Sequence, residues 1–547
     1  MAEGNPKTAV RATGLPLWKI DGGVVANAPP VGLAENQAQE AHNVLFFDGR
    51  CRARPGFQPS TVTPDVGGGY DSTARIVHLG YMVTQDQAYH LMRAQASLAG
   101  AVTLYQYTGS GSWVNITGSA ALTASPSRPC SSAQFKGEWL FCSGNDNLQR
   151  WNGSGSVVDV TTAQSNALLR APAQPYFVCA TGSRVFLANA IDQSSGQRVP
   201  YRVWWSTTGD SSIWGNGYGI DGAGSASYED IIRGRDSSAI TGLYFQGATQ
   251  VIVFKRHSIF RSVYKGGPVW YDFVCITQSR GCVASGSIQC FNDTLVWLGD
   301  DYNVYAMGLN GQVMAIGDAV RPLIEACFDP GYQNGAGVSS SLDTVLGLYW
   351  LSIPVQDAYT GAVTYTVFTC NLRTGAWSTS GVADTGLQLL SGFWLQPDPP
   401  FFLRHPVAIW GASDGRIYAL DYDKPALIDN QTPFDARWWG RAYDALAFSR
   451  GAGESVEFHK TSIHGSSGYA TPRIRFGRSV AALLAGTQTY TYDAMGLADP
   501  DCPAYVANVR AAANRFAQIG IYWAPGERDP AIVDGFTSWG LPRQEVR

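Results

Sequence analysis

At 547 residues the chain is too long for one ordinary hydrophobic core, so it either divides into several domains or grows by repeating a unit. Charged residues make up only 15% and the net charge is -4 with no basic block, which excludes a tight, salt-sensitive grip on nucleic acid built from clustered Lys and Arg. The ten cysteines show no CxxC and no zinc spacing, the start lacks the apolar core of a signal peptide, and no stretch nears the about 18 apolar residues of a membrane span. We therefore expect reduced, buried thiols in a chain without a membrane anchor, made in the cytoplasm. Low charge, 12% aromatic residues and 61 glycines point to an all-β protein, because charge crowds helix surfaces whereas Trp, Tyr and Val favour strands.

Residues 1–13 carry no structural signal, and Gly14 opens an extended arm punctuated by Gly22-Gly23 and Pro29-Pro30. Its polar run from Glu35 to His42 predicts a short helical turn at best. Asp48-Gly49 then stands between apolar runs, the strongest local hairpin signal. This arm and its hairpin, 1–65, form the first predicted segment.

From residue 66 to 424 a paired β motif recurs. A β-rich run crosses a tight turn and returns as a second β-rich run ending in an aromatic. The copies are Gly137–Trp151, Ser183–Asp192 with its return delayed to Tyr201–Ser206, Thr249–Val263, Asp293–Met307 and His405–Leu420. The pairs follow one another at roughly forty to sixty residues, the length of a four-stranded propeller blade. The divisions 70–117, 118–165, 166–233, 234–281, 282–330, 331–384 and 385–424 give a β-propeller of six or seven blades, the third carrying an extra loop near Gly209 to Gly224. After it, residues 425–547 change texture. Alternating runs from Ser455 to Ile463, from Pro472 to Arg478 and from Asn514 to Trp523 predict a C-terminal β-sandwich-like domain, followed by a tail docked, if at all, through Trp539.

Catalytic chemistry is sought at the hairpin turns. Asp300-Asp301, Asp343, Asp357 and Asp414 are candidates for acid/base pairs, but Asp300-Asp301 and Asp414-Gly415 sit where a turn favours Asp for its backbone hydrogen bonds. Ser413-Asp-Gly-Arg-Ile-Tyr418 matches half of a sialidase Asp-box in one incomplete copy. The seven histidines form no HxH or HxxxH pair, and His459 and His464 fall on opposite faces of an alternating strand. Cys275, Cys282 and Cys290 read as core filling, and no Gly-rich nucleotide loop follows a strand and opens a helix. Arg233-Gly-Arg235 and the trio Arg50, Arg52 and Arg54 are small basic knots suited to a solvated rim or an interface. No catalytic, cofactor or metal site is expected.

The arm's order of Gly-Gly turn, Pro29-Pro30, polar run, Asn43-Val44, Asp48-Gly49 and Arg54-Pro55-Gly56 resembles the start of tail nozzle, or tail tubular hub, proteins of short-tailed bacteriophages. Three further pieces follow in the order those proteins show: Val203-Trp-Trp-Ser-Thr-Thr-Gly-Asp210 with Trp214, then Ile240–Phe245, then Val251–Phe260; Arg437-Trp-Trp439 is similar to the entry of their last domain. The resemblance implies a non-enzymatic virion protein. It forms a six-fold ring below the head-to-tail adaptor protein, contacts tail fibre or spike proteins, and is assembled in the host cytoplasm. Double-stranded DNA passes through it without specific binding. Trp18, Phe46, Phe47, Arg50, Arg52, Arg54, Trp438, Trp439 and Trp539 would then face the adaptor or a neighbouring subunit. The chain departs from the family in lacking sizeable insertions between blades, the loop at 206–232 being the one candidate. Two other readings stay open: a propeller glycosidase or depolymerase acting on host surface polysaccharide, and a monomeric propeller interaction module.

Overall fold

The computed structural model describes residues 13–14, 18–60, 73–125, 128–215, 225–232, 236–247, 249–267, 270–327, 335, 337–356, 362–381, 386–395, 407–420, 426–444, 455–465, 469–486, 489–491, 495–496, 504–508, 516–528 and 532–543. The chain forms two compact units: Phe57–Val367 with Gly386–Leu420, and Met1–Gly56 with Phe368–Thr385 and Asp421–Arg547.

The first unit is a β-propeller. Its blades are antiparallel meanders taken in chain order, the first being Arg75–Val83, Tyr89–Ala96, Ala101–Tyr107 and Val114–Asn115. Four more follow in the same pattern, beginning at Ser131–Phe135, Phe177–Ala180, Ile240–Gln246 and Gln289–Phe291. Ser339–Asp343 and Leu348–Gln356 begin a further blade, and the last consists of Leu389–Leu395, Val407–Ala412, Ile417–Leu420 and Phe57–Pro59. Six complete blades thus lie wholly in this unit, with a seventh sheet begun beside them. The last blade takes its outer strand from Phe57–Pro59, residues that the sequence assigns to the arm. Joining the two ends of the repeat removes the open edge that a linear array would leave.

The five repeated pairs are the middle strands of blades. Gly137–Trp151 holds Glu138–Cys142 and Gln149–Trp151, and Asp293–Met307 holds Thr294–Leu298 and Val304–Met307. Their apolar residues pack between adjacent blades: Met82, Met92 and Leu104 meet Trp139, Phe141 and Trp151 in one such layer, and Ile252 and Phe254 meet Leu295, Trp297 and Tyr305 in another. Core formation is therefore distributed over the seams instead of concentrated in one centre.

Each seam also carries a polar tie. His78 Nε2 lies 2.7 Å from Ser132 Oγ, Ser131 Oγ donates to the Val178 carbonyl, and Asn189 Nδ2 donates to the Ile240 carbonyl. Thr241 Oγ1 donates to the Cys282 carbonyl, Gln289 Nε2 to the Ser340 carbonyl, and Ser341 Oγ to the Phe393 carbonyl. Ser391 Oγ accepts from Leu79 N and closes the circle. The ties are buried at Asn189 and Ser391 and part-buried at the others, and such a group stabilises only while both partners are in place.

The His78 tie is expected to be pH-sensitive. Burial pulls the His78 pKa from 6.5 down to about 4, so the folded chain holds this imidazole neutral. Above pH 6.5 both states are neutral and the seam has its full strength; as pH falls toward 4 the unfolded chain takes up a proton that the folded chain refuses, and stability drops. Between pH 7 and 4.5 the loss is expected to be on the order of 1–3 kcal/mol beyond that of a His78→Asn variant, read from denaturant midpoints. Parallel losses in both proteins would refute this role.

Among the described residues the second unit contains the short pair Ile428–Asp429 and Thr432–Pro433 and two large sheets. One runs Ala38–His42, Ala436–Asp444, Phe516–Trp523, Tyr469–Gly477 and Thr489–Thr491. The other runs Val44–Phe47, Arg50–Ala53, Ile532–Arg543, Ser455–Gly465 and Ala504–Asn508, with Thr13–Gly14 and Trp18–Lys19 also paired to Ile532–Arg543.

Three expectations change here. Ala38–His42 is a strand and not a helical turn, because its backbone finds a partner in Ala436–Asp444, a pairing that overrides local propensity. Ser538–Arg543 of the supposed C-terminal tail belong to a strand of 12 residues, Ile532–Arg543, bonded on both sides. The arm and the C-terminal segment, separate in the sequence reading, are one folded body. The Asp48-Gly49 hairpin forms as expected, with φ of 49° and 74° at its two turn residues, the left-handed pair of a tight two-residue turn.

Candidate functional site

The hairpin-turn carboxylates hold their own loops. Asp301 accepts from the Asn303 amide and from the Tyr305 hydroxyl at 2.5 Å, and Asp414 accepts from the Arg416 amide and from the Tyr418 hydroxyl at 2.6 Å. The shared spacing, Asp followed four residues later by Tyr, ties a turn to the strand leaving it. Burial, and next the bond to Asp301 or Asp414, pushes both tyrosine pKa values up, so each phenol stays a donor at neutral pH. Asp343 accepts from the Val345 and Leu346 amides, and Asp300 lies 2.8 Å from His257 Nδ1. Asp357 lies outside the described residues.

A cavity of ≈ 380 Å³ on the propeller is lined in part by Asp146 and Asp159. Asp146 accepts from Thr123 N and Ser143 Oγ, and Asp159 from Thr161 N and Oγ1, so these acids too are loop anchors. Among the described residues no group of three His, Cys, Asp or Glu could hold a metal ion, and no helix is long and apolar enough to cross a membrane. Cys282 is buried, donates to the Ala284 carbonyl and has its thiol pushed up to about 12, far from the range of a reactive thiolate. Arg233 and Arg235, and the loop from residue 216 to residue 224, lie outside the described residues.

The interface candidates fall into two groups. Phe46, Arg54, Trp438 and Trp439 are buried within this chain, at 2%, 0%, 0% and 2% exposure, so as isolated side chains they have no surface to offer a partner. Phe47 and Arg52 are half-buried and stacked, the Arg52 guanidinium 5.0 Å from the Phe47 ring centre, while Arg50 is exposed at the hairpin end. Trp18 and Trp539 are placed by their backbones alone, both paired in the sheet containing Ile532–Arg543.

Arg54 is a structural pin. Its Nη1 and Nη2 donate to Asp429 Oδ1 and Oδ2 at 2.8 and 2.6 Å, its Nε donates to Asn43 Oδ1 at 3.0 Å, and its plane lies 3.9 Å from the Phe434 ring centre. Asn43 in turn donates to the Asp435 carbonyl and accepts from Gly381 N. Two residues beyond the pin, a Cβ at Gly56 would stand 1.9 Å from the Ile428 carbonyl oxygen. The Arg54-Pro55-Gly56 sequence thus follows from a buried fork and a backbone crossing.

The sheet through Ala436–Asp444 has two contrasting faces. One buries Ala41, Trp438, Ile521, Ile474, Ile519 and Phe476. The other carries Arg437, Trp439, Gln518, Gly520, Tyr522, Arg473 and Arg475, cross-strand neighbours by register. There the Arg473 guanidinium lies 3.5 Å from the Tyr522 ring centre and the Arg475 guanidinium 3.7 Å from that of Trp439. Arg437 pairs with Glu40 and, at 3.5 Å, with Asp435. Burial lowers the Arg475 pKa; Glu40 opposes the shift, and the like charges of Arg437 and Arg473 add to it.

No protein-family model matches the chain, and no curated protein matches it. Among solved structures it is similar to YCF48 from Cyanidioschyzon merolae, at 11% identity over 68% of this chain and 100% of that one, TM-score 0.38. It is also similar to BBS1N in complex with ARL6DN, at 7% identity over 68% and 98%, TM-score 0.38. A third is the six-bladed fucose-recognising lectin of Aleuria aurantia, at 9% identity over 57% and 96%, TM-score 0.27. The propeller assignment rests on the strand order and the closed circle of seams.

Sequence reading singled out Arg437-Trp-Trp439 and the two alternating runs but did not join them, because their common face arises from pairings between distant strands. Gly520 is the covert member. A Cβ there would sit 2.4 Å from Trp439 Cε3, since the indole lies across the bare backbone. Gly520→Ala is expected to cost about 1–3 kcal/mol in thermal or denaturant unfolding by displacing Trp439 and, with it, the Arg475 stack. An unchanged midpoint would contradict that packing.

Proposed function

We propose that this chain is a non-catalytic β-propeller module that builds and binds, and that within this class it serves as one subunit of a ring-shaped tail nozzle of a short-tailed phage. In that reading copies form a six-fold ring below the head-to-tail adaptor, tail fibre or spike proteins attach to it, and double-stranded DNA passes through without specific binding. The subunit is assembled in the host cytoplasm and ends in the virion tail. The observation that carries the non-catalytic part is the use of the turn carboxylates: Asp301, Asp343 and Asp414 are each bonded to the loop that bears them. A wall subunit needs stiffness more than a reactive cleft, and ties at every seam supply it.

A free-standing interaction module is the second reading, favoured by one observation. The propeller closes on its own strand Phe57–Pro59 and needs no second copy to complete a blade. Native mass and low-resolution imaging separate the two. A cyclic particle of about six subunits with an open lumen supports the nozzle, whereas a single-subunit mass at every concentration supports the module. Cleavage of a host polysaccharide by the purified chain would overturn both.

A further inference from the structure

The Arg/aromatic sheet face holds more positive charge than its own fold uses. Its opposite face already buries the apolar residues of the same strands. Glu40 is committed to Arg437, and among the described residues neither Arg473 nor Arg475 has a hydrogen bond or an ion pair. Stacking on Tyr522 and Trp439 occupies one flat face of each of these two guanidiniums, and the Nε of each is buried without a hydrogen-bond partner; the in-plane N–H groups form the edge that accepts a carboxylate in a two-pronged bond. Both side chains are half-buried, so the stacked rings hold them in place and little rotamer freedom remains to be lost on binding.

We propose that this face docks an extended acidic segment of a partner protein, with carboxylates at alternate positions received by Arg473 and Arg475. The spacing carries the choice of partner. Arg473 and Arg475 are two apart on one strand, about 6.6–6.8 Å along it, and carboxylates at alternate positions of an extended segment repeat at the same interval. A nucleic-acid backbone fits less well. Two or three cations make only a weak, salt-steep contact with such a polymer. The inference holds for either assembly state of the chain.

The test uses the full chain and a fluorescein-labelled synthetic peptide alternating aspartate and serine, followed by anisotropy at low salt. Binding is expected, with no binding of the same peptide carrying asparagine for aspartate. Affinity should fall at least about tenfold in Arg473→Gln/Arg475→Gln, and by less in Arg475→Lys, which keeps the charge and loses the fork. Tyr522→Phe keeps a ring under Arg473 and should bind as the parent does. The asparagine comparison needs no variant, so it decides the matter even if the double variant misfolds. Equal binding of both peptides, no binding of either, or affinity unchanged in a folded double variant would overturn the proposal. So would tight, Arg473-dependent binding of single-stranded oligothymidylate in place of the acidic peptide.

Discussion

Asp429→Ala is expected to destabilise the unit containing the chain ends by about 3–5 kcal/mol, because it strands a guanidinium that water cannot reach. Arg54 and Asp429 are both 0% exposed and joined by two short bonds, and Arg54 also donates to Asn43 Oδ1 and the Pro55 carbonyl. A loss of that size is comparable to the whole stability of many domains, so the variant should unfold at much lower denaturant or accumulate as aggregate. The ion pair itself is a different quantity. Desolvating two charges offsets most of their attraction, so Arg54→Met combined with Asp429→Leu should recover most of what either single change loses. The measurement is a double-mutant cycle by chemical unfolding. A single Asp429→Ala variant within about 0.5 kcal/mol of the parent would show that the pin carries no strain-bearing charge pair.

The pin also marks where the sequence stops being readable. Middle blade strands such as Thr294–Leu298 and Val304–Met307 are legible because both partners lie within one short hairpin and turn residues such as Asp301 flag the crossing. The expected spans 70–117, 166–233, 234–281 and 282–330 each hold four strands of one sheet, whereas Leu122–Thr123 of the second span pairs into the first sheet and the last span borrows Phe57–Pro59. The innermost strands are far less visible. Ser339–Asp343 and Ser131–Phe135 read as polar, since their serines are used to tie neighbouring blades instead of filling a core. Least visible are pairings made across the chain: His42 faces Arg437 and Cys51 faces Val533, separations at which no periodicity connects the partners. Arg54 read as part of a basic surface knot because charge in a sequence suggests solvent; only a distant Asp429 makes burial tolerable. The same limit hid the Arg473, Arg475, Trp439 and Tyr522 arrangement, whose members come from three strands.

Removing residues 1–60 is expected to abolish cooperative folding, and this is the sharpest difference between a docking arm and what the structure contains. A flexible arm could be cut away and leave the body intact. Here Ala38–His42 supplies a strand to one sheet, Val44–Phe47 and Arg50–Ala53 supply two to the other, and Phe57–Pro59 completes the last propeller blade. Val44, Leu45, Phe46 and Phe57 are almost fully buried, and at about 1.5–3 kcal/mol each their loss alone comes to roughly 6–12 kcal/mol, the size of a domain's entire stability. The propeller would also present Ile417–Leu420 as an open edge, a site for aggregation. The fragment 61–547 should therefore bind a hydrophobic dye and melt without a sharp transition. Supplying residues 1–60 as a separate chain during refolding should restore a cooperative melt, because the missing strands need no covalent link to pair. If 61–547 alone melts as sharply and as high as the full chain, the first sixty residues are a detachable arm after all, and the contacts of Arg54, Phe46 and Phe57 contribute little to the native state.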